Sequence, residues 1–308
     1  MDTFFGDEPT VPYDLLPTTE PYFGLEPTVP YTTFEIPQAT LSAFQAISGP
    51  SILQEGTPQY KAVQYLRTDP FLADFDDWAF SSTLDLAIQH YVILVLYYST
   101  GGESTWKEQL NFLTYSPFCE WNYYDYPVVG QVSGVECNPQ DGSVTSIRVV
   151  GNDVSGTIPA ELGALTTLQV LEISGVGGRL QGTIPPSLNN LSNLRTLSFH
   201  NNDLSGIIPP EFANLQALET IHLHQNKQLG GEVPAAFSEI SSMSNFRIEG
   251  TSITGNLDDI FCQDPSRSFT RLVSDCDSTL VECCCCTACC QINGNCNVNA
   301  NRAPTCGA

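Results

Sequence analysis

Residues 194–215 read LRTLSFHNNDLSGIIPPEFANL, and this stretch decides the fold. Leu194, Leu197 and Phe199 are spaced L-x-x-L-x-F, with Ser198 between the last two. Such alternation puts the apolar residues on the inner side of a short strand and the intervening ones on the outer side. The chain continues Asn202-x-Leu204-x-Gly206-x-Ile208-Pro209, then Phe212 and Leu215. Asn at a turn offers two amide donors and a carbonyl acceptor, enough to serve the backbone of its own segment and of a neighbour. Gly206 permits close backbone approach, and Pro209 ends strand pairing before the chain returns.

The same pattern recurs on both sides with a period of about 25 residues. Upstream, Val144, Ile147, Val149, Asn152, Val154, Gly156, Ile158 and Pro159 occupy the matching positions, followed by Leu168, Leu171, Ile173, Leu180, Gly182, Ile184 and Pro185. Downstream come Leu218, Ile221, Leu223, Asn226, Leu229, Gly231, Val233 and Pro234, with one inserted residue. Met243, Phe246, Ile248, Thr251, Ile253, Gly255 and Leu257 close the series with the Asn and Pro replaced. One coil cannot bury its apolar side alone, but five stacked coils form a continuous core. The expected fold is therefore an α/β solenoid with parallel strands on its concave face.

The same alternation names the residues that face outward. They fall in three columns: Ser146, Val170, Thr196, Thr220 and Asn245; then Arg148, Glu172, Ser198, His222 and Arg247; then Val150, Ser174, His200, His224 and Glu249. Five strands spaced about 4.8 Å apart make a face about 20 Å wide, a size that suits a protein edge, a peptide or a glycan chain. The candidate ligand-binding residues are the polar members Arg148, Glu172, Thr196, Ser198, His200, Thr220, His222, His224, Asn245, Arg247 and Glu249. Three of the four histidines lie here. Free imidazoles titrate near about pH 6.5, so the cluster would gain charge in mild acid, or with Glu249 would hold a divalent ion. The plainer reading is that outward positions accept any polar residue.

The flanks differ in composition. Residues 1–57 have no Lys, Arg or Cys, repeat EPTVPY at Glu8–Tyr13 and Glu26–Tyr31, and are rich in Pro and Thr. Such a segment reads as a disordered, acidic, extended stalk. Residues 58–143 read as a helical cap, with a short helix around Ala62–Leu66 and a longer one over Leu84–Tyr98 that Gly101-Gly102 stops. The repeats occupy 144–261, and residues 262–308 form a Cys-rich tail containing CCCCTACC at Cys283–Cys290.

The formal net charge is −23, and the first 143 residues hold 19 acidic against 3 basic side chains. A surface this acidic repels phosphate backbones, so nucleic acid is not an expected partner; the charge serves solubility or a cationic partner. Twelve cysteines fit an oxidising compartment. The start, MDTFFGDEPT, has no basic segment followed by an apolar one, so the expectation is a leader or membrane anchor upstream of Met1. The apolar run Leu84–Tyr98 contains Asp85, Gln89 and His90 and is too short for a bilayer span. No phosphate-binding glycine loop, nucleophile elbow or metalloprotease motif occurs, and neither an enzymatic activity nor a cofactor is expected. Cys283-x-x-Cys286 and Cys286-x-x-Cys289 have zinc-ligand spacing, while an oxidising compartment favours disulfide loops among Cys262, Cys276, Cys283, Cys284, Cys285, Cys286, Cys289 and Cys290. Asn190-Leu191-Ser192 is the one N-glycosylation sequon, and Asn190 is expected exposed on the return side of its coil.

The repeat LxxLxLxxNxLxGxIP resembles the plant-type leucine-rich repeat of receptor-like proteins, receptor kinases and polygalacturonase-inhibiting proteins. Cys119, Trp121, Gly134, Val135 and Cys137 resemble the family's N-terminal cap, with about ten extra residues after the Trp. LYYSTGGESTW at Leu96–Trp106, few repeats and the Cys tail are similar to the leucine-rich repeat proteins of diatoms and related algae, with Cys284 where those carry Pro. The resemblance implies an extracellular or cell-surface recognition or adhesion module that binds on its concave face. Two alternatives stay open: a matrix protein acting through its acidic stalk, and an inhibitor of a secreted hydrolase. A Cys119–Cys137 bridge is expected, tying the loop between them to the first coil.

Overall fold

The computed structural model describes residues 35–69, 81–114, 117–124, 132–175, 179–263, 268–275, 281–282, 286–290 and 296–297. Ten strands join one sheet in chain order: β1 (Asn122–Tyr124), β2 (Val132–Cys137), β3 (Val144–Val150), β4 (Val170–Ser174), β5 (Thr196–Ser198), β6 (Thr220–His222), β7 (Asn245–Arg247), β8 (Arg271–Asp275), β9 (Ala288–Cys290) and β10 (Cys296–Asn297). From β3 to β9 every pair is parallel. Antiparallel strands finish the sheet, β1 and β2 at one end and β10 at the other. Parallel neighbours that follow one another in sequence require a full coil between them, which is the solenoid the repeat predicts.

Each coil makes a second ribbon after its turn. Ser205–Ile207, Gln228–Glu232, Ser252–Asn256 and Val281–Glu282 pair in parallel, as do Ser155–Thr157 and Arg179–Gln181. The return segments are single 3-10 turns at Ala160–Ala164, Pro186–Asn190, Pro210–Asn214 and Ala235–Glu239. Pro159, Pro185, Pro209 and Pro234 each precede one of them and end the ribbon.

Inside, the apolar columns are fully enclosed: Leu171, Leu197, Ile221 and Phe246 have no exposed surface, and neither have Leu188, Phe212 and Phe237 from the return side. The turn asparagines do what their donor count allows. Asn202 Nδ2 donates to Ile173 O of the preceding coil at 2.9 Å and to Phe199 O of its own at 3.1 Å. Asn226 repeats this with Phe199 O and Leu223 O, and its Oδ1 accepts from Leu204 N. Asn152, in the first coil, has no coil before it; its amide instead brackets Glu108 of the cap, accepting from the N–H at 2.6 Å and donating to the carbonyl at 2.7 Å. Gly156 sits at φ 88°, and a Cβ there would meet Ser99 O at 2.2 Å. That position needs glycine twice over.

The cap is built from α1 (Gln38–Ser48), α2 (Pro58–Leu66) and α3 (Ser81–Ser99). Thr57 caps α2 by accepting from Tyr60 N, ahead of Pro58 at the first helical position. The run Tyr91–Tyr97 of α3 is buried on every side, so this helix shows no apolar stripe. Gly102 N bonds back to Tyr97 O where α3 ends, and Trp106 Nε1 donates to Thr100 O.

Two boundaries are corrected. Residues 38–53 were expected in the stalk, yet they form α1 and a 3-10 turn whose Phe44 stacks on Tyr91 with ring centroids 4.3 Å apart. Phe44 and Ile52 find their apolar partners in α2 and α3, which lie too far along the chain for local composition to register. Residues 1–34, the rest of the expected stalk, lie outside the described residues. The solenoid also runs past the 261 boundary: the degenerate half-repeat that the sequence suggests at Phe269, Leu272 and Cys276 lies where β8 and β9 continue the parallel sheet, with Leu272 fully buried.

Cys119 and Cys137 are bridged, with Cα atoms 5.5 Å apart, and Cys262 and Cys286 each take part in a disulfide. Cys276, Cys283, Cys284 and Cys285 fall outside the described residues; Cys289 and Cys290 lie in β9. Among the described residues no helix is long and apolar enough to cross a membrane.

Candidate functional site

Strand register brings the outward columns together as the repeat arithmetic placed them. Ser146, Val170, Thr196, Thr220 and Asn245 pair in succession and Arg271 extends the row; Arg148, Glu172, Ser198, His222 and Arg247 form the next row, continued by Val273. Beyond the strands, Asn201 N bonds His224 O and Gln225 N bonds Glu249 O, which keeps the third row in step. The five repeat strands β3–β7 span about 20 Å as expected, within a ten-stranded sheet about 43 Å across.

The N-terminal half of this face is internally paired. Arg148 reaches Glu136 of β2 and donates to Ser146 Oγ at 2.7 Å, with Glu172 at 3.9 Å on its other side. Ser198 Oγ meets Glu172 at 3.5 Å and His200 Nδ1 at 2.9 Å. Burial raises the Glu172 carboxyl above its ordinary range, against the pull of Arg148 and the Ser198 hydroxyl.

The C-terminal half is different. His200 and His224 stack with centroids 4.5 Å apart and planes 8° from parallel, and His222 stands edge-on to both. Arg247 bonds Glu249, and Arg271 and Asp275 bring further charge from β8. Around them, polar atoms are enclosed without a hydrogen-bond partner: Ser174 Oγ, His222 Nε2, His224 Nδ1, Asn245 Oδ1, Arg247 Nε and Glu249 Oε2. Asn245 lies close enough to His222 to favour its protonated form, without bond geometry.

This environment corrects the expected titration in mild acid. Burial comes first for each ring: with His222 and Arg247 it holds His200 down to about 4, and with Arg247, the other two rings and Arg271 it holds His224 down to about 2. For His222 burial, with Arg247 and Arg271, lowers the proton affinity against the opposing pull of Asn245. His200 and His224 are neutral across the window in which free imidazole titrates. Burial also raises Glu249 and Asp275. The expectation of freely exposed outward side chains is corrected too: Ser198, His224 and Glu249 are buried, while Thr196, His200, Thr220, His222, Asn245, Arg247, Arg148 and Glu172 are half-buried. The divalent-ion reading fails on geometry. Parallel stacked rings point their nitrogen lone pairs in parallel directions and do not converge on one ion, and no group of three ligands suited to a metal occurs among the described residues.

Residues 193–215 match the family model Leucine Rich Repeat. The fold is a leucine-rich-repeat solenoid. No curated protein matches the chain. Among solved structures, the BIR2 ectodomain from Arabidopsis thaliana is similar, with 26% identity, TM-score 0.43, and coverage of 59% of this chain and 95% of that one. Pollen Receptor Kinase 3 is similar at 24% identity and TM-score 0.45, with 59% and 82% covered. The PEPR1–AtPEP1 structure is similar at 27% identity and TM-score 0.41 over 46% of this chain, which spans only 19% of that chain.

Within the leucine-rich repeats, Asn190 is exposed and ends the 3-10 turn Pro186–Asn190 on the return side, away from the outward face. Sequence reading missed Glu136, Arg271 and Asp275. The last two were within reach: Arg271 stands 26 residues after Asn245, one repeat on, beside the buried Leu272. Glu136 reaches the face only through the antiparallel pairing of β2, which no repeat position encodes.

Proposed function

We propose that this chain is a non-catalytic recognition module that takes a protein, peptide or glycan ligand on the outward face of its leucine-rich repeats, outside the cell or at its surface. The rows of polar side chains that strand register aligns along the outward face carry the reading. The disulfides at Cys119–Cys137, Cys262 and Cys286 support an oxidising location. The net charge of −23 disfavours nucleic acid.

The test is a displayed random-peptide library and a printed glycan panel offered to the full chain. Thr220→Arg fills the middle of the first row, between Thr196 and Asn245. It is expected to weaken any ligand found by at least about tenfold, with an unchanged melting temperature. Asn214→Arg, on the exposed return side, is expected to have no effect. Equal binding by wild type and Thr220→Arg contradicts the reading. Deleting residues 1–34 separates it from the stalk-driven matrix reading, since a face-binding module keeps its ligand. The cut must spare α1, because Phe44 is part of the cap core.

A further inference from the structure

The helical cap holds a cavity of about 430 Å³ between α1, the 3-10 turn Gly49–Leu53 and α2. We propose that this cavity binds a small organic acid, a carboxylate carried on an apolar body, with Arg67 as its anchor.

Sequence spacing builds the cavity from two helix faces. Gln38, Leu41 and Gln45 recur at i, i+3 and i+7 along α1. Tyr60, Val63 and Gln64 of α2, with Arg67 at its C-cap, repeat that spacing. Residues so spaced share one side of a helix, so each lining face is continuous. Ile52 and Leu53 of the turn complete the lining.

Three observations carry the assignment. The first is charge. Four cations are half-buried among the described residues: Lys61, Arg67, Arg148 and Arg247. Lys61 pairs with Glu103, Arg148 with Glu136 and Arg247 with Glu249, while Arg67 has no ion pair among the described residues. The chain carries −23, yet no Asp or Glu lines this cavity. Arg67 Nε is sealed by the chain, out of a ligand's reach; Nη1 and Nη2 are not among the sealed atoms. Their side-by-side N–H groups match the two oxygens of one carboxylate.

The second observation is apolar surface beside that charge. Ile52 and Val63 are buried and Leu41 is half-buried, but Leu53 is 71% exposed, more than Val150 or Ile207. A ligand body that covers Leu53 takes this surface out of water, which is favourable in proportion to the area covered. The third is size. A volume of about 430 Å³ falls at the small end of small-molecule pockets, which run from about 300 to about 1,000 Å³. An acid with a short apolar chain or a single ring fits that space.

The experiment is calorimetric titration of the full chain at neutral pH with hexanoate and 3-phenylpropanoate. Hexanol, hexylammonium and acetate are the controls, beside the tripeptide Ala-Leu-Leu with a free or an amidated C-terminus. At least one of the two acids is expected to bind, at least about tenfold more tightly than all three controls. Arg67→Gln and Leu53→Asp should each weaken that acid at least about tenfold with an unchanged melting temperature. Thr220→Arg, on the outward face, should leave it unaltered, so this proposal and the face-recognition reading fail separately. If neither acid binds, if a control binds as tightly, or if both cap variants bind like wild type, the proposal is overturned. It is overturned as well if the free-ended tripeptide binds and neither small acid does, since the cavity then takes a peptide end.

Discussion

The two halves of the outward face are built by the same repeat, yet they treat their polar side chains differently. Around β2–β4, Arg148 is shared among Glu136, Ser146 and Glu172, and Glu172 also meets Ser198 of β5. Around β5–β7, three imidazoles, Asn245 and the Arg247–Glu249 pair enclose atoms that nothing in the described chain satisfies. The turn ladder inside the coil is a further contrast, since Asn226 makes three backbone bonds with one amide. Satisfied polar groups hold the solenoid together. Enclosed polar atoms without a partner lie on the face and also at Asn202 Oδ1 in the turn ladder and at Arg67 Nε and His90 Nε2 in the cap.

That contrast predicts opposite signs for polar-to-apolar substitutions. The largest effect belongs to the inner ladder. Asn226→Leu strands Leu223 O and Leu204 N inside the coil and leaves Phe199 O only its bond from Asn202, and at about 1–3 kcal/mol for each stranded group it should lower stability by several kcal/mol, as read by urea denaturation. Next comes the Cys119–Cys137 bridge, whose replacement by two serines is expected to cost about 3 kcal/mol. On the outward face Arg148→Ala should cost only about 1 kcal/mol, because its partners are part-exposed. Asn245→Leu is expected to leave stability unchanged or raise it slightly, since it removes an unmet acceptor. A loss of more than about 1 kcal/mol at Asn245 would erase the distinction between the halves.

Acid supplies a smaller test. His90 is 3% exposed and its imidazole is held down to about 3 by burial, so the unfolded chain binds a proton that the folded chain refuses. Stability from this group is full above about pH 6.5 and falls as pH drops toward 3, by about 1.4 kcal/mol per unit. His90→Phe should flatten that slope in denaturant titrations between about pH 6 and about pH 4. The smallest effect is at Asn190: protein made through a secretory pathway should lose one glycan mass on Asn190→Gln, with no change in melting temperature, because the side chain is exposed.

Much of this was legible in the sequence, for a physical reason. Strand alternation assigns inside and outside residue by residue, so Leu197 and Phe199 against Ser198 and His200 follow from spacing alone. The one-repeat period then stacks Thr196, Thr220 and Asn245 in one row. Contacts that break the period were not legible. Asn152 satisfies its amide on Glu108, 44 residues earlier, because the cap stands in for a missing coil. Phe44 lies in a Pro-rich neighbourhood but packs on Tyr91. The histidines show a subtler limit. Their positions follow from the repeat, while their protonation depends on how far the neighbouring coils desolvate them and on Arg247 and Arg271 beside them.

That protonation state is also the most direct probe of the central claim, that the C-terminal half of the face is a desolvated cluster whose imidazoles resist protonation. The chain has four histidines, and all four have depressed affinities for a proton. Following the imidazole resonances of the full chain from about pH 8 to about pH 3.5 should show no ring with the ordinary midpoint near 6.5, and His200 titrating at about 4. Rings of His200, His222 and His224 that titrate together near 6.5 would mean a face open to water, with its polar atoms already satisfied, and would contradict the account.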